Sequence, residues 1–374
     1  MDILKGTSLV LSGNLLARFS GFLATVYLAR VLGNQGYGSY VFYITILSYL
    51  ALLQDPGLST LGAREIASGE KVEGRIFGTK LLISFILTSL FFLYPPSFRP
   101  FVFALIPFAL YPEWMLRGQG EFKKLFFLSL FRSLFFLGSV LLFVPSFRIR
   151  GAAYAYAISF LLPSLFFIWK VQPFSFSFSL LRLALPFGIS GILYQIYHNS
   201  DMLILGIFRS RSELGLYGAA FRVVFPFLLL DRAVETASLP LLSREEKREE
   251  TVVFLRKLVI AGFIVSAFIT VFSRLIILFI FGKEYLLSSL YLSILIWSFP
   301  LSLFSTLHAV SLIVHKRDKE YMVCSVCGVL LNLFLNLALI PRYGALAASL
   351  STIVAEILMA YMFAKYDRAL ARMD

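Results

Sequence analysis

The sequence predicts an all-α polytopic membrane protein with about twelve transmembrane helices, and three observations predict it. Of 374 residues, 59% are hydrophobic and 15% charged, with a mean hydropathy of +0.83, too apolar for a soluble domain to keep its surface wet. Charge-poor segments of about 20 residues recur, each long enough as a helix to cross a hydrocarbon core of about 30 Å. These segments are continuous runs rich in Leu, Phe, Ile and Ala rather than short alternating strands, so helices and not a closed barrel satisfy the backbone in lipid.

The spans fall near residues 6–31, 38–59, 76–96, 100–116, 125–145, 150–169, 184–208, 214–240, 253–281, 287–314, 321–340 and 344–364. The first is longer than a signal-peptide core and has no convincing small-residue cleavage site after it, so it is expected to stay in the mature protein. Cys324 and Cys327 are spaced C-x-x-C inside an apolar helix, with no second pair for zinc and no redox fold around them, and read as packing residues.

The net charge of +13 follows a topological pattern. With a cytoplasmic N-terminus, twenty Lys and Arg fall in inner segments, from Lys5 through Arg64, Lys71 and Arg75 to Lys365, Arg368 and Arg372, against seven in outer segments. That asymmetry fits the positive-inside rule with both termini cytoplasmic, reinforced by anionic lipid at the inner face, and leaves nucleic-acid binding without support. Connecting loops stay below roughly 15 residues, which leaves no room for a folded catalytic domain outside the membrane. The charge run at 243–251 reads as a solvated helix connection.

Segment 171–183, where Phe alternates with Ser, is expected to be an interfacial linker between lobes 1–170 and 184–374. Six spans precede it and six follow, so the two lobes share one orientation. "RIRGAAYAYAIS" (148–159) after Pro145 matches "PRYGALAASLST" (341–352), and "GNQGYGSYVF" (33–42) matches "RSELGLYGAAF" (211–221). Parallel repeats of this kind are expected to enclose a central cavity that opens to one face and then the other.

Polar groups inside the spans mark candidate sites, because an ionisable group near mid-membrane costs several kcal/mol unless it meets a partner or water. Asn14 and Arg18 share a face of span one; Arg132 lies in span five; His198, Asn199 and Asp201 lie in span seven and Arg222 in span eight. Asn332 and Asn336 share a face of span eleven, and Glu356 lies in span twelve. Buried arginines stay charged and, facing one cavity, would suit a phosphate. Asp201 is either an ion or proton site or the countercharge to one of those arginines; a lone carboxylate makes a poor cation cage, which favours the countercharge. Asp231 or Arg232 could pair with Glu235 one turn on, Asn332 and Asn336 could bond across helices, and Glu113 and Arg117 stand near an inner boundary; for these, mutual neutralisation is the simpler reading.

Several of these stretches resemble one family. "NLLARFSGFLATVYLARVLGNQGYGSY", "DPGLSTLGAREIA", "PEWMLRGQGEFKK", "LPFGISGILYQIYHNSDMLILGIF" and "ELGLYGAAFRV", in this order over most of the chain, are similar to the polysaccharide-biosynthesis flippases of the multidrug, oligosaccharidyl-lipid and polysaccharide exporter superfamily. The resemblance implies two six-helix lobes around a cationic cavity in the cell membrane, and alternating access that carries a polyprenyl-diphosphate-linked oligosaccharide to the outer leaflet. It makes Arg18 and Asp201 the best cavity candidates and Asp55 and Arg64 inner-gate residues. Glu113, Arg117, Asp231, Arg232, Glu235 and Glu356, singled out by their place in or beside the spans, are further gate or coupling candidates. The expected partners are the lipid-linked oligosaccharide, membrane lipids, a coupling proton or sodium ion, and other polysaccharide-assembly proteins; no cofactor is expected, and no nucleotide-binding G-x-x-x-x-G-K motif occurs. The chain is shorter than many relatives and lacks the extra C-terminal helices of some murein-precursor flippases, so that substrate is not expected. Alternatives are an ion-coupled exporter of small cationic drugs, which predicts a carboxylate-dominated cavity, and a membrane polymerase or glycosyltransferase, which predicts a catalytic outer loop.

Overall fold

The computed structural model describes residues 2–91, 96–168 and 174–367, except for the side chains of 2–16, 168, 190, 193 and 194. Within these residues the regular structure is helical: α1 Asp2–Gln54, α2 Leu58–Ala67, α3 Glu73–Phe91, α4 Arg99–Val102, α5 Leu105–Ala109, α6 Glu113–Gly118, α7 Phe122–Ile168, α8 Phe178–Phe208, α9 Arg211–Leu242, α10 Glu245–Ile280, a 3₁₀ turn Lys283–Tyr285, α11 Ser288–Leu295, α12 Ser298–Val314 and α13 Asp318–Tyr366. Among the described residues, seven helical stretches are long and apolar enough to cross a membrane. The chain is an all-α, multi-pass membrane protein.

Three helices far exceed a membrane's thickness. A straight helix of 53 residues, the length of α1, would run about 80 Å. Each of the three breaks at one residue: Gly33 in α1 (φ 69°, ψ 174°), Arg148 in α7 (φ 50°, ψ −126°) and Gly344 in α13 (φ 62°, ψ −139°). The last two are near-identical backbone corners, and each lies three residues after a proline, Pro145 or Pro341. Proline lacks the N–H of the helical ladder and clashes with the carbonyl four residues back, which loosens the turn that then reverses.

Segment 100–116 departs from the single span expected there. It forms α4, α5 and α6, none longer than six residues. Pro100, Pro107 and Pro112 remove three backbone donors within thirteen residues, and Pro112 also biases Tyr111 before it away from helical dihedrals. The backbone answers with tight turns, such as Ala104 N–H donating to Phe101 O and Ile106 N–H to Phe103 O.

Contacts divide the chain into two compact units, Met1–Gln195 and Ile196–Asp374. In the first, Leu58 and Leu61 of α2, Ile76 and Phe77 of α3, Trp114 of α6, Leu128 and Phe160 of α7 and Ala184 of α8 share one buried core. Gly62 lets α2 approach α6, since a Cβ there would meet Trp114 and Ile76 at 2.5 Å. Residues 174–177 form no regular element, and Ser175 N–H donates to Gly74 O (3.2 Å) and Ser177 N–H to Thr79 Oγ1 (3.0 Å), so this piece of the predicted linker follows α3; residues 169–173 lie outside the described set. In the second unit, α9, α10 and α12 bury Leu242, Leu255, Leu307 and Val310, while α12 and α13 bury Leu312, Cys324, Met359 and Phe363. Cys324 and Cys327 are both free thiols on α13.

Each unit ties its two corners together. Arg148 Nη1 donates to Val31 O (2.9 Å), joining the break of α7 to that of α1. In the second unit Glu213, at the start of α9, accepts the Ala345 N–H (2.7 Å) beside the break of α13 and pairs with Arg209 (2.9 Å). Arg148 is a non-glycine residue at positive φ, so the conformation is strained and the bond to Val31 offsets that strain. Arg148→Ala is expected to lower stability by about 1 kcal/mol, and Arg148→Gly by less because glycine relieves the backbone. Chemical unfolding of the two variants in detergent checks this order; an alanine variant as stable as the glycine variant would remove the strain argument.

Candidate functional site

Two cations of the first unit stand in contrasting settings, Lys80 buried and Arg132 half-buried. Lys80 lies two turns into α3, in an apolar run, and its side chain is 3% exposed. Asp55, in the turn between α1 and α2, meets it at 3.0 Å, with its side chain 15% exposed. The α2 start completes the pair: Ser59 Oγ donates to Asp55 Oδ2 (2.5 Å), Ser59 N–H to Oδ1 (2.9 Å), and Lys80 Nζ to Ser59 Oγ (3.1 Å). The neighbouring Gln54 donates to Leu105 O (3.0 Å). Asp55 therefore sits in a closed network that fastens α1, α2 and α3.

Among the described residues no such carboxylate meets Arg132. About 15 Å along α7 from its start, its guanidinium lies 5.0 Å from the Phe160 ring centre and 5.8 Å from that of Tyr111. Phe108 and Tyr156 pack edge-on against Phe160 at 5.1 Å, forming an aromatic wall behind the cation. Among the described residues Arg132 makes no ion pair, and the rings attract its charge without neutralising it. Arg18 of α1 is exposed and likewise has no ion pair among the described residues; the side chain of Asn14 lies outside them. The remaining gate candidates are ordinary exposed pairs, Arg64 with Glu65 (2.6 Å) and Arg117 with Glu113 (2.6 Å); Arg64 also rests 5.4 Å from the Phe187 ring.

The second unit reverses the pattern. Asp201, Asp231 and Glu356 are each at least nine-tenths buried, and each is held by hydroxyl groups. Tyr217 OH donates to Asp201 Oδ2, while Asp201 Oδ1 accepts the Met202 N–H (2.7 Å). Ser302 and Thr306 of α12 donate to Asp231 (2.5 and 2.9 Å), and Tyr197 OH to Glu356 (2.5 Å). None of the three pairs with Lys or Arg among the described residues. Such a carboxyl can exchange a proton or receive a cation without first breaking an ion pair.

Several expected pairings give way to others. Asp201 meets a tyrosine rather than an arginine. Arg232 approaches His198, whose Nε2 lies 3.3 Å from its guanidinium, and Glu235 is half-buried. Asn332 and Asn336 bond one another along α13 (2.9 Å) instead of bridging helices. Arg222 is half-buried in α9 without an ion pair among the described residues, and Asn199 is half-buried on α8. Lys80 was open to recognition as the one charge between residues 76 and 98. Tyr197, Tyr217, Ser302 and Thr306 gave no such signal, since a hydroxyl in an apolar helix finds its partner only in three dimensions.

Long apolar helices, paired corner turns and ionisable groups lodged within the spans define a polytopic membrane transporter. The sequence matches the family model "Polysaccharide biosynthesis protein" over residues 3–246 and the MatE model over 186–338. The chain belongs to the polysaccharide biosynthesis protein family, within the multidrug, oligosaccharidyl-lipid and polysaccharide superfamily of transporters. It is 24% identical over 396 residues to the probable low-salt glycan biosynthesis flippase Agl15 of Haloferax volcanii, covering 98% of this chain and 84% of that one. Its fold is similar to the lipid II flippase MurJ in an inward closed conformation (TM-score 0.77, 16% identity, 95% of this chain and 86% of that one). It is also similar to an inward-facing multidrug resistance MATE family transporter (TM-score 0.71, 18% identity, 95% and 96%).

Proposed function

We propose that this protein is a flippase that carries a polyprenyl-diphosphate-linked oligosaccharide from the cytoplasmic to the outer leaflet of the cell membrane by alternating access. The observation that carries the reading is the set of arginines within membrane helices, Arg18, Arg132 and Arg222, that make no ion pair among the described residues. A guanidinium keeps its charge in any accessible medium, and a diphosphate supplies the missing counter-anion. The family match and the likeness to a glycan biosynthesis flippase support the same substrate class. No covalent step is required: a polar path removes the cost of drawing a charged, sugar-bearing headgroup through hydrocarbon while the lipid tail stays in the bilayer.

Twelve spans follow if each of the three broken helices crosses twice, α8 crosses once and α4–α6 together cross once, with lobes 1–170 and 184–374 and both termini cytoplasmic; the charge asymmetry of the loops and the two matched corners support that arrangement. Arg18, Arg132 and Arg222, with Asn14, His198, Asn199, Asn332 and Asn336, are the proposed headgroup-path residues. Asp55, Arg64, Glu113 and Arg117 are proposed for the inner gate. Asp201, Asp231 and Glu356, with Arg232 and Glu235 nearby in sequence, are the proposed coupling groups for a proton or sodium ion.

A second reading, an ion-coupled exporter of cationic drugs, draws on the MatE match and on the hydroxyl-held carboxylates of the second unit. Vesicles reconstituted with the purified protein separate the two. The flippase reading expects a fluorescent polyprenyl-diphosphate oligosaccharide to change leaflets and a cationic dye such as ethidium to stay put. Dye export without lipid movement would reverse the assignment.

A further inference from the structure

The aromatic wall behind Arg132 has a role beyond packing. Tyr111 and Phe160 are 7% and 3% exposed, so neither ring presents a face to an incoming headgroup; what both present is a face to the guanidinium. Phe160 is itself fixed by Tyr111, Phe108 and Tyr156, whose ring centres lie 5.1 to 5.2 Å from its own. A long arginine side chain otherwise samples many rotamers, and ordering it on binding weakens the complex by that lost freedom. Held over two buried rings, the guanidinium gives up part of that freedom in advance.

We infer that Tyr111 and Phe160 are positioning residues that hold the Arg132 guanidinium in one orientation, its outward N–H edge preset to receive an oxyanion of the diphosphate. The inference rests on the flippase reading above. It makes the site select for arginine over lysine, because only a planar cation stacks on a ring and offers two parallel donors at its edge. The contrast with Lys80 supports the assignment. Lys80 also approaches a ring of this wall, Phe108 at 6.0 Å, but Asp55 already neutralises it, so within this wall the uncompensated charge is that of Arg132.

The test is a calorimetric titration of geranyl diphosphate into the full-length protein in detergent, with a melting curve for every variant. Arg132→Gln and Arg132→Lys are both expected to weaken binding about tenfold or more. Tyr111→Leu and Phe160→Leu are expected to weaken it about tenfold in the wild-type background and to add nothing in the Arg132→Gln background. Equal losses in both backgrounds would show a merely structural role for the rings and overturn the inference. Arg132→Lys binding as the wild type does would overturn it too, even where the leucine variants fail to fold. Unchanged binding in Arg132→Gln would instead remove Arg132 from the proposed headgroup path.

Discussion

Replacing Lys80 by methionine is expected to destabilise the protein by about 3–5 kcal/mol, the usual result of stripping one partner from a buried ion pair. The size follows from what remains: Asp55, 15% exposed, would be left with only the Ser59 hydroxyl and amide as partners. The same network joins the end of α1 to the start of α2 and to α3 two turns in, so its loss would loosen the Leu58, Leu61 and Ile76 core beside it. Removing both charges together should be far milder, because an apolar pair of similar volume leaves no orphaned ion. Denaturant unfolding in detergent of Lys80→Met, Asp55→Leu and the double variant checks this. A double variant no more stable than either single one would mean that the pair contributes packing alone.

Gly344→Ala is expected to cost about 3 kcal/mol. At φ 62° and ψ −139° the residue occupies a region that side-chain-bearing residues avoid, a strain of about 1–3 kcal/mol. The added methyl would also fall into the Glu213 carboxylate, which accepts the Ala345 N–H and pairs with Arg209. Displacing that charged acceptor adds about 1–3 kcal/mol if the amide stays unsatisfied. Because the two costs share Glu213, the double variant with Glu213→Ala should lose less than the sum of the single ones. A melting temperature for Gly344→Ala equal to that of the wild type would contradict the corner geometry.

The corners also show how much of the architecture was legible in the sequence. Pro145 with a Gly-Ala helix start, repeated at Pro341, marked both reversals, and the backbone breaks at the same distance after each proline. Matching the Gly-Ala runs directly would have paired Gly151 with Gly344; the proline register pairs Arg148 with Gly344, and no residue-type rule anticipates an arginine at positive φ. Composition identified the apolar runs but not the continuity of segment 100–116, where three prolines outweigh high hydropathy. Among the candidate sites, a charge in an apolar run was easy to find and its partner was not. Asp55 sits in a polar turn and finds Lys80 at a separation of 25 residues, and Asp201 finds Tyr217 on the following helix. Pairing depends on packing between helices, which spacing along one helix does not encode.

The central claim is that arginines without carboxylate partners move an anionic headgroup across the membrane. Its most direct test is the initial rate at which labelled polyprenyl-diphosphate oligosaccharide reaches the far leaflet of vesicles containing the wild type, Arg18→Gln, Arg132→Gln or Arg222→Gln. The account predicts folded variants whose rates fall at least about tenfold for Arg132→Gln and further when the substitutions are combined. A triple variant that transports as fast as the wild type would contradict it.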